Sequence, residues 1–229
     1  MLTRNALHEN VGHFFMSNYK NFLANFDKSA KLAGRDTEEI ELIAVSKKKP
    51  AQDIQNVINE GHTSFGENQI QEIEEKWPKL KNLHPDIKLH FIGGIQSRKV
   101  ESIHKNCEVI HSIDRMKIVK LFAALERSEG LKRKYFIQIN TGNEPQKSGV
   151  LFNEAEQFII DCLSNYKLEI IGLMCLPPID EDPKIHFQKL RDLGKKFYLN
   201  SLSMGMSADY QVALECGSTH IRIGTQIFG

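Results

Sequence analysis

Lys47 is the residue of this chain best placed to act as an amine nucleophile. It ends the apolar run Glu41-Leu-Ile-Ala-Val-Ser-Lys47, and Pro50 follows closely. Where a buried strand empties into a loop, the strand end can desolvate an ammonium and lower its pKa, freeing the amine to attack a carbonyl. The competing reading of Lys47-Lys48-Lys49 is a solvated basic run. Strand alternation divides that run. Ile43, Val45 and Lys47 share one face, while Lys48 points the other way. Lys49 shares the parity of Lys47 but precedes a proline, further into the loop.

Two segments near the C-terminus could face such an amine, Ser203-Met-Gly-Met-Ser207 and Arg222-Ile-Gly-Thr225. Gly205 and Gly224 let backbone N–H groups approach an anion closely. The alternative for Ser207 is a plain N-cap on the helix that follows. Parity places His220, Arg222 and Gly224 on one strand face and Ile221 and Ile223 on the other. An inward Arg222 needs a partner, and a pyridine nitrogen is one; an outward Arg222 is a surface or salt-bridged residue. One amine and two phosphate-holding loops suit pyridoxal phosphate held as a Schiff base. Glu67 and Asn68 read equally as site residues or helix caps. His90 reads as a packed strand histidine, Lys147 and Gly149 as residues of a surface loop, and Arg98 and Lys99, after a Gly-Gly turn, as solvated charges. The sequence carries no Walker loop, no Gly-x-Gly-x-x-Gly and no Gly-x-Ser-x-Gly elbow.

The elements that would position these residues alternate. Apolar runs at 42–46, 63–66, 88–93, 108–113, 135–140, 169–176, 201–204 and 220–224 read as strands. Runs at 51–60, 67–77, 96–104, 115–129, 153–165, 183–198 and 208–215 read as helices. An amphipathic helix over 5–33 precedes them, with Leu7, Val11, Phe14, Phe15, Phe22 and Phe26 at helical spacing and Gly34 placed to end it. Eight β/α units in 229 residues predict one (β/α)₈ TIM barrel spanning 1–229, with residues 1–34 packed on it as an N-terminal helix. A doubly wound open sheet is the alternative. In a barrel the site lies at the C-terminal ends of the strands, where Lys47, Asn68, Ser207, Gly224 and Thr225 fall, and the loops after strands seven and eight often take phosphate.

Composition narrows the class. A net charge of +1 supplies no field for nucleic acid or an acidic membrane. No stretch approaches the roughly 18 apolar residues of a span, and the N-terminus lacks a signal-peptide pattern, so a cytoplasmic protein is expected. Cys107, Cys162, Cys175 and Cys216 are dispersed, which predicts reduced thiols. Scattered histidines without a metal-binding motif predict no metal site.

Several segments together resemble the pyridoxal-phosphate homeostasis protein family, also described as YggS/PROSC-like. They are Ala44-Val-Ser-Lys-Lys-Lys-Pro50, Phe65-Gly-Glu-Asn68 with Gln71-Glu72, His90-Phe-Ile-Gly93 with Gln96, Ser112-Ile-Asp-Arg115, Lys147-Ser-Gly149, Gly172-Leu-Met174, Ser203-Met-Gly-Met-Ser207 and the run Gly217 to Gly229. They occur in family order from about residue 35 onward. The resemblance implies a fold-type III barrel similar to the N-terminal domain of alanine racemase. It implies that Lys47 carries pyridoxal 5′-phosphate, that Ser207, Gly224 and Thr225 hold its phosphate, that Arg222 faces the pyridine nitrogen, and that Asn68 and Met204 lie near the ring. Arg98 departs from the family pattern, which has asparagine there. An arginine beside the ring nitrogen disfavours ring protonation and weakens the ring as an electron sink. No second base is apparent, so the expected role is a non-catalytic monomer that stores the cofactor and delivers it to pyridoxal-phosphate-dependent apoenzymes. A racemase of low activity is the alternative.

Overall fold

The computed structural model describes residues 17–229. Helix α1 (Asn18–Leu32) is started by Ser17, whose Oγ accepts from the Lys20 N–H. Phe22 and Phe26 lie on its buried face. The part of the expected helix before residue 17, with Leu7, Val11, Phe14 and Phe15, lies outside the described residues.

Nine strands follow, and all their pairings are parallel. They are β1 (Glu41–Val45), β2 (Ser64–Glu67), β3 (Lys88–Phe91), β4 (Val109–Ile113), β5 (Lys134–Asn140), β6 (Val150–Leu151), β7 (Glu169–Cys175), β8 (Ser201–Met206) and β9 (His220–Ile223). β1 pairs with both β2 and β9, and β4 pairs with β5, so eight strands close into a barrel. The two-residue β6 hangs on β5 outside that ring and was not expected from the sequence. Between the strands run α2 (Ala51–Asn59), α3 (Ile70–Leu83), α4 (Val100–Asn106), α5 (Met116–Glu129), α6 (Ala155–Asn165), α7 (Pro183–Lys196) and α8 (Tyr210–Glu215). This is the expected TIM barrel. The open-sheet alternative fails because β1 and β9 pair from Glu41↔His220 to Ala44↔Ile223.

Local chemistry sets the helix ends. Asp182 accepts from the Lys184 N–H, with Pro183 at the first helical position, where its missing N–H costs nothing. Gly130 ends α5 at φ 71°. α3 runs through Pro78 to Leu83, beyond the expected end at Trp77. A proline removes one helical hydrogen bond, but buried Trp77 and Leu80 on either side hold the helix against the barrel. A further short helix, α9 (Thr225–Phe228), follows β9, where only a strand was expected.

Strand alternation sorts the core. Leu42, Ala44, Phe65, Leu89, Phe91 and Ile221 belong to the large apolar cluster that includes helix residues such as Ile73, Trp77, Phe122 and Phe187. A separate small cluster holds Val109, Phe136 and Met174, with Ile171 against it. Several buried polar residues occupy positions of the same parity: His90, His111, Ser203, His220 and Arg222.

Candidate functional site

The loop after β1 is fixed from beneath. Lys48 adopts φ 59°, a conformation strained for a non-glycine residue, and its N–H donates to Glu72 Oε2 at 2.6 Å. Lys76 Nζ donates to the carbonyls of Ser46 (3.2 Å) and Lys49 (3.3 Å). The same ammonium pairs at 2.8 Å with Glu67 Oε1 and with Glu72 Oε2. Glu67 Oε1 also accepts from Ser46 Oγ at 2.8 Å and from Trp77 Nε1 at 3.2 Å. Glu67 is therefore not a helix cap. It is a buried carboxylate at the end of β2 that ties α3 to the loop carrying Lys47. Lys47 itself is exposed. β1 ends at Val45, two residues earlier, so the lysine stands in the open mouth of the barrel rather than in the desolvating strand end expected from the sequence.

That mouth holds a cavity of about 570 Å³ at the C-terminal ends of the strands. Of the seven residues singled out from the sequence, Lys47, Asn68, Ser207, Arg222, Gly224 and Thr225 line it. Met204 does not. It is fully buried and belongs to the main apolar cluster. The reason is local: alternation next to inward-facing Ser203 turns Met204 outward, while Gly205 at φ 98° and the β8–β9 register shift between Ser203 and Met206 bring Met206 to the cavity instead. An alanine at Gly205 would be strained and would bring its Cβ to 2.6 Å from Ala213 Cβ.

The plain-cap reading of Ser207 also fails. Asp209 precedes α8, and its Oδ1 accepts from the Met206 N–H at 2.6 Å. The Ser207 carbonyl accepts from Gln226 Nε2 at 2.9 Å, which ties the loop after β8 to α9. Neither the Ser207 nor the Thr225 hydroxyl is hydrogen-bonded among the described residues, so both remain available to a ligand.

Arg222 is buried, 4% exposed, and points into the barrel. Nη1 donates to Ser203 Oγ at 2.7 Å and Nη2 to the Cys175 carbonyl at 3.0 Å. Burial lowers its pKa from the usual arginine value, opposed by Cys175 and Asp209. Among the described residues the guanidinium thus has neutral partners and no carboxylate in contact, and it faces the cavity.

Among the described residues, Asn68 Oδ1 is buried with no hydrogen-bond partner. A polar atom left so costs about 1–3 kcal/mol unless a ligand meets it. Gly93, read from the sequence as the last residue of a strand, is the close-approach point beneath it: a Cβ there would lie 2.0 Å from the Asn68 carbonyl oxygen. Lys49 and Met206 were not expected in the lining. Lys49 Nζ donates to the carbonyls of Phe228 (3.3 Å) and Gly229 (2.6 Å). Arg98, which departs from the family pattern, donates to Gln96 Oε1 at 3.3 Å and does not line the cavity. Lys147 pairs with Glu144 at 2.6 Å in its loop. Among the described residues, the side chains lining the cavity that can carry charge are Lys47, Lys49 and Arg222, all cationic. The site suits a small anionic ligand that reacts with an amine.

A closed parallel barrel with a lysine after its first strand and small-residue loops after its last two is the architecture of alanine racemase N-terminal domains, and a family model of that description matches residues 17–229. Within that class, the chain belongs to the pyridoxal phosphate homeostasis protein family. It is 41% identical over 210 residues to the pyridoxal phosphate homeostasis protein of Vibrio alginolyticus, covering 86% of this chain and 88% of the relative. PipY of Synechococcus elongatus, solved with PLP bound, superposes with a TM-score of 0.77 at 29% identity, covering 89% of this chain and 99% of PipY. An alanine racemase of Clostridium difficile shares the fold at a TM-score of 0.71 and 15% identity, with 93% of this chain matched to 56% of the racemase. Among the described residues, no helix is long and apolar enough to cross a membrane.

Proposed function

We propose that this protein binds pyridoxal 5′-phosphate covalently through Lys47 and acts in cellular homeostasis of that cofactor, storing it and passing it to apoenzymes that depend on it. The observation that carries the reading is the convergence of Lys47, Asn68, Ser207, Arg222, Gly224 and Thr225 on one cavity. The residues fit the group. Ser207 and Thr225 supply hydroxyl donors for a phosphate, and the three cations favour an anion. Arg222 supplies N–H donors for a pyridine nitrogen, and Asn68 offers a buried polar group without another partner. When bound, the cofactor supplies an aldehyde that condenses with a primary amine and a ring that accepts electron density. The remaining roles belong to the chain. Lys47 presents the amine at the open mouth, where an incoming aldehyde can reach it, and the Lys76–Glu67–Glu72 cluster holds its loop. Arg222, as a cation, opposes protonation of the ring nitrogen and so weakens the ring as an electron sink.

The same lining supports a role without catalysis. Racemisation by opposed proton transfers needs a base on each face of the bound substrate. Besides Lys47, the one amine in the cavity lining among the described residues is Lys49, whose ammonium is held by the carbonyls of Phe228 and Gly229, and no tyrosine, histidine, cysteine or carboxylate side chain lines it. Family membership in the homeostasis proteins points the same way. The rival reading, a racemase of low activity, shares every feature of cofactor binding and differs only in turnover. Purified protein loaded with cofactor is assayed for racemisation of alanine and serine. A rate no greater than that of free cofactor supports the carrier; turnover well above it, lost in Lys47→Ala, establishes the racemase.

A further inference from the structure

Arg222 has no carboxylate in contact, yet its bonds lead to one. Ser203 Oγ, which accepts from Arg222 Nη1, lies 2.8 Å from His111 Nδ1. His111 Nε2 lies 2.9 Å from His90 Nδ1. His90 Nε2 lies 3.2 Å from Glu41 Oε1 and 3.0 Å from Ser64 Oγ, which itself donates to Glu41 Oε1 at 2.8 Å. Lys88 Nζ (2.9 Å) and His220 Nε2 (3.3 Å) also face the Glu41 carboxylate. Ser203, His90, His111 and Ser64 are buried, and Phe136 stacks on His111 with ring centroids 4.3 Å apart. Glu41 lies at the start of β1 and lines a different cavity, at the opposite end of the barrel from Lys47.

Donor chemistry gives this series a direction. A guanidinium only donates, so Ser203 Oγ accepts from Arg222 and its single proton is free for His111 Nδ1. An accepting Nδ1 puts the proton of a neutral His111 on Nε2, which donates to His90 Nδ1. His90 then carries its own proton on Nε2 and donates to Glu41. The far end demands the same order, because the reverse tautomers would set a lone pair of His90 against the carboxylate at 3.2 Å. Both imidazoles are thereby neutral. Burial, the like charges of neighbouring groups and, for His111, Arg222 depress their pKa values, while Glu41 opposes. Burial alone would raise Glu41, but hydrogen bonds from His220, His90 and Lys88 outweigh it and hold the carboxyl well below the usual range.

We propose that Ser203, His111 and His90 are positioning residues, a one-way hydrogen-bonded column that aims Arg222 at the ligand cavity with Glu41 at the barrel floor as its distant counter-charge. The role toward a ligand rests on the reading of Arg222 as the group that meets the cofactor ring. The column commits one Nη group to Ser203 and fixes which N–H groups remain for a ring nitrogen. It also ties the donor strength of Arg222 to a carboxylate that never touches the ligand.

Two measurements test it. In histidine-labelled wild-type protein without cofactor, long-range ¹⁵N–¹H NMR at about pH 7.5, above the ordinary histidine midpoint of about 6.5, is expected to show His90 and His111 as neutral Nε2–H tautomers. An Nδ1–H tautomer or an imidazolium at either position overturns the column. Added pyridoxal phosphate is then titrated by visible absorption. Ser203→Ala is expected to weaken binding about tenfold, the loss of one hydrogen bond to a charged group. Ser203→Thr restores it, and Glu41→Gln shifts the absorption of bound cofactor without touching the cavity. Wild-type affinity and spectrum in both Ser203→Ala and Glu41→Gln refute the positioning role. Wild-type protein that takes up no pyridoxal phosphate sinks the proposed function, and the tautomers still decide the column.

Discussion

Lys76→Met is the perturbation that best separates the support of the site from the site itself. Glu67 is completely buried, and its strongest partner is the Lys76 ammonium at 2.8 Å. Removing that ammonium leaves a buried carboxylate with only the Ser46 hydroxyl and the Trp77 indole as donors. Breaking a buried pair from one side costs about 3–5 kcal/mol. For a chain of this size, about 2–4 °C per kcal/mol converts that into a fall in Tm of roughly 6–20 °C. The same ammonium holds the Ser46 and Lys49 carbonyls, and without it the strained Lys48 turn keeps its bond to Glu72 and the backbone bond from the Lys49 N–H to the Ser46 carbonyl. Cofactor affinity should therefore fall together with stability. The double variant Glu67→Gln, Lys76→Met removes both charges and keeps an acceptor for Ser46 and Trp77, so it should recover a substantial part of the lost stability. Urea unfolding of wild type, both single variants and the double variant gives the coupling directly. A loss below about 1 kcal/mol in Lys76→Met, the range of a solvated surface pair, would falsify the assignment of this cluster as the buried support of the Lys47 loop. So would a double variant as unstable as the sum of the two singles.

Four further outcomes are expected. The double variant Ser207→Ala, Thr225→Val should weaken pyridoxal phosphate binding about 100-fold or more, at about 1.5–3 kcal/mol per charge-assisted hydrogen bond; unchanged affinity by titration refutes the phosphate assignment. Gly93→Ala should displace Asn68, because its Cβ would lie 2.0 Å from the Asn68 carbonyl oxygen, and overpacking of this kind costs about 1–3 kcal/mol; wild-type Tm and affinity together contradict the close approach. His62 is pulled down to about 4 by burial, so between that value and its unfolded midpoint the unfolded chain binds the extra proton and stability falls with falling pH. Replacing His62 by Gln should flatten denaturant-measured stability between about pH 6.5 and pH 4, a contribution of about 3 kcal/mol at most; an unaltered pH profile rules the histidine out as its source. Burial pushes the thiols of Cys162 and Cys175 up to about 12, so iodoacetamide should leave both unmodified in native protein at neutral pH, and rapid labelling observed by mass spectrometry contradicts that burial.

The barrel was legible because its signals are local and repeated. Short apolar runs with turn residues between them mark strands, and parity alone placed Arg222 and His220 on one strand face, which the closed ring turns inward. Most of the candidate site followed, since Lys47, Asn68, Ser207, Gly224 and Thr225 fall at strand ends. Two expectations failed. Met204 was assigned to the ring by resemblance, but alternation from inward-facing Ser203 turns it outward, and the left-handed turn at Gly205 with the register shift beside it brings Met206 to the cavity. The desolvation argued for Lys47 failed because β1 stops at Val45, one residue short of the expected end, and leaves Lys47 exposed. The Glu67–Lys76 pair joins residues on consecutive elements whose facing is set only by packing, and Glu67 alone read equally as a site residue or a helix cap. The column from Arg222 to Glu41 draws residues from β1, β3, β4, β8 and β9 to meet inside a closed ring. Alternation fixes which residues of one strand share a face, but which face turns inward and which side chains meet is set only once the ring closes.

The central claim is that the Lys47 amine holds the cofactor, and the direct measurement is borohydride reduction of purified protein incubated with pyridoxal phosphate, followed by peptide mass mapping. The account predicts a yellow protein whose visible band is lost on reduction, with a pyridoxyl adduct on Lys47 and none on Lys48 or Lys49. A colourless protein without adduct, or an adduct on another lysine with Lys47 unmodified, contradicts it.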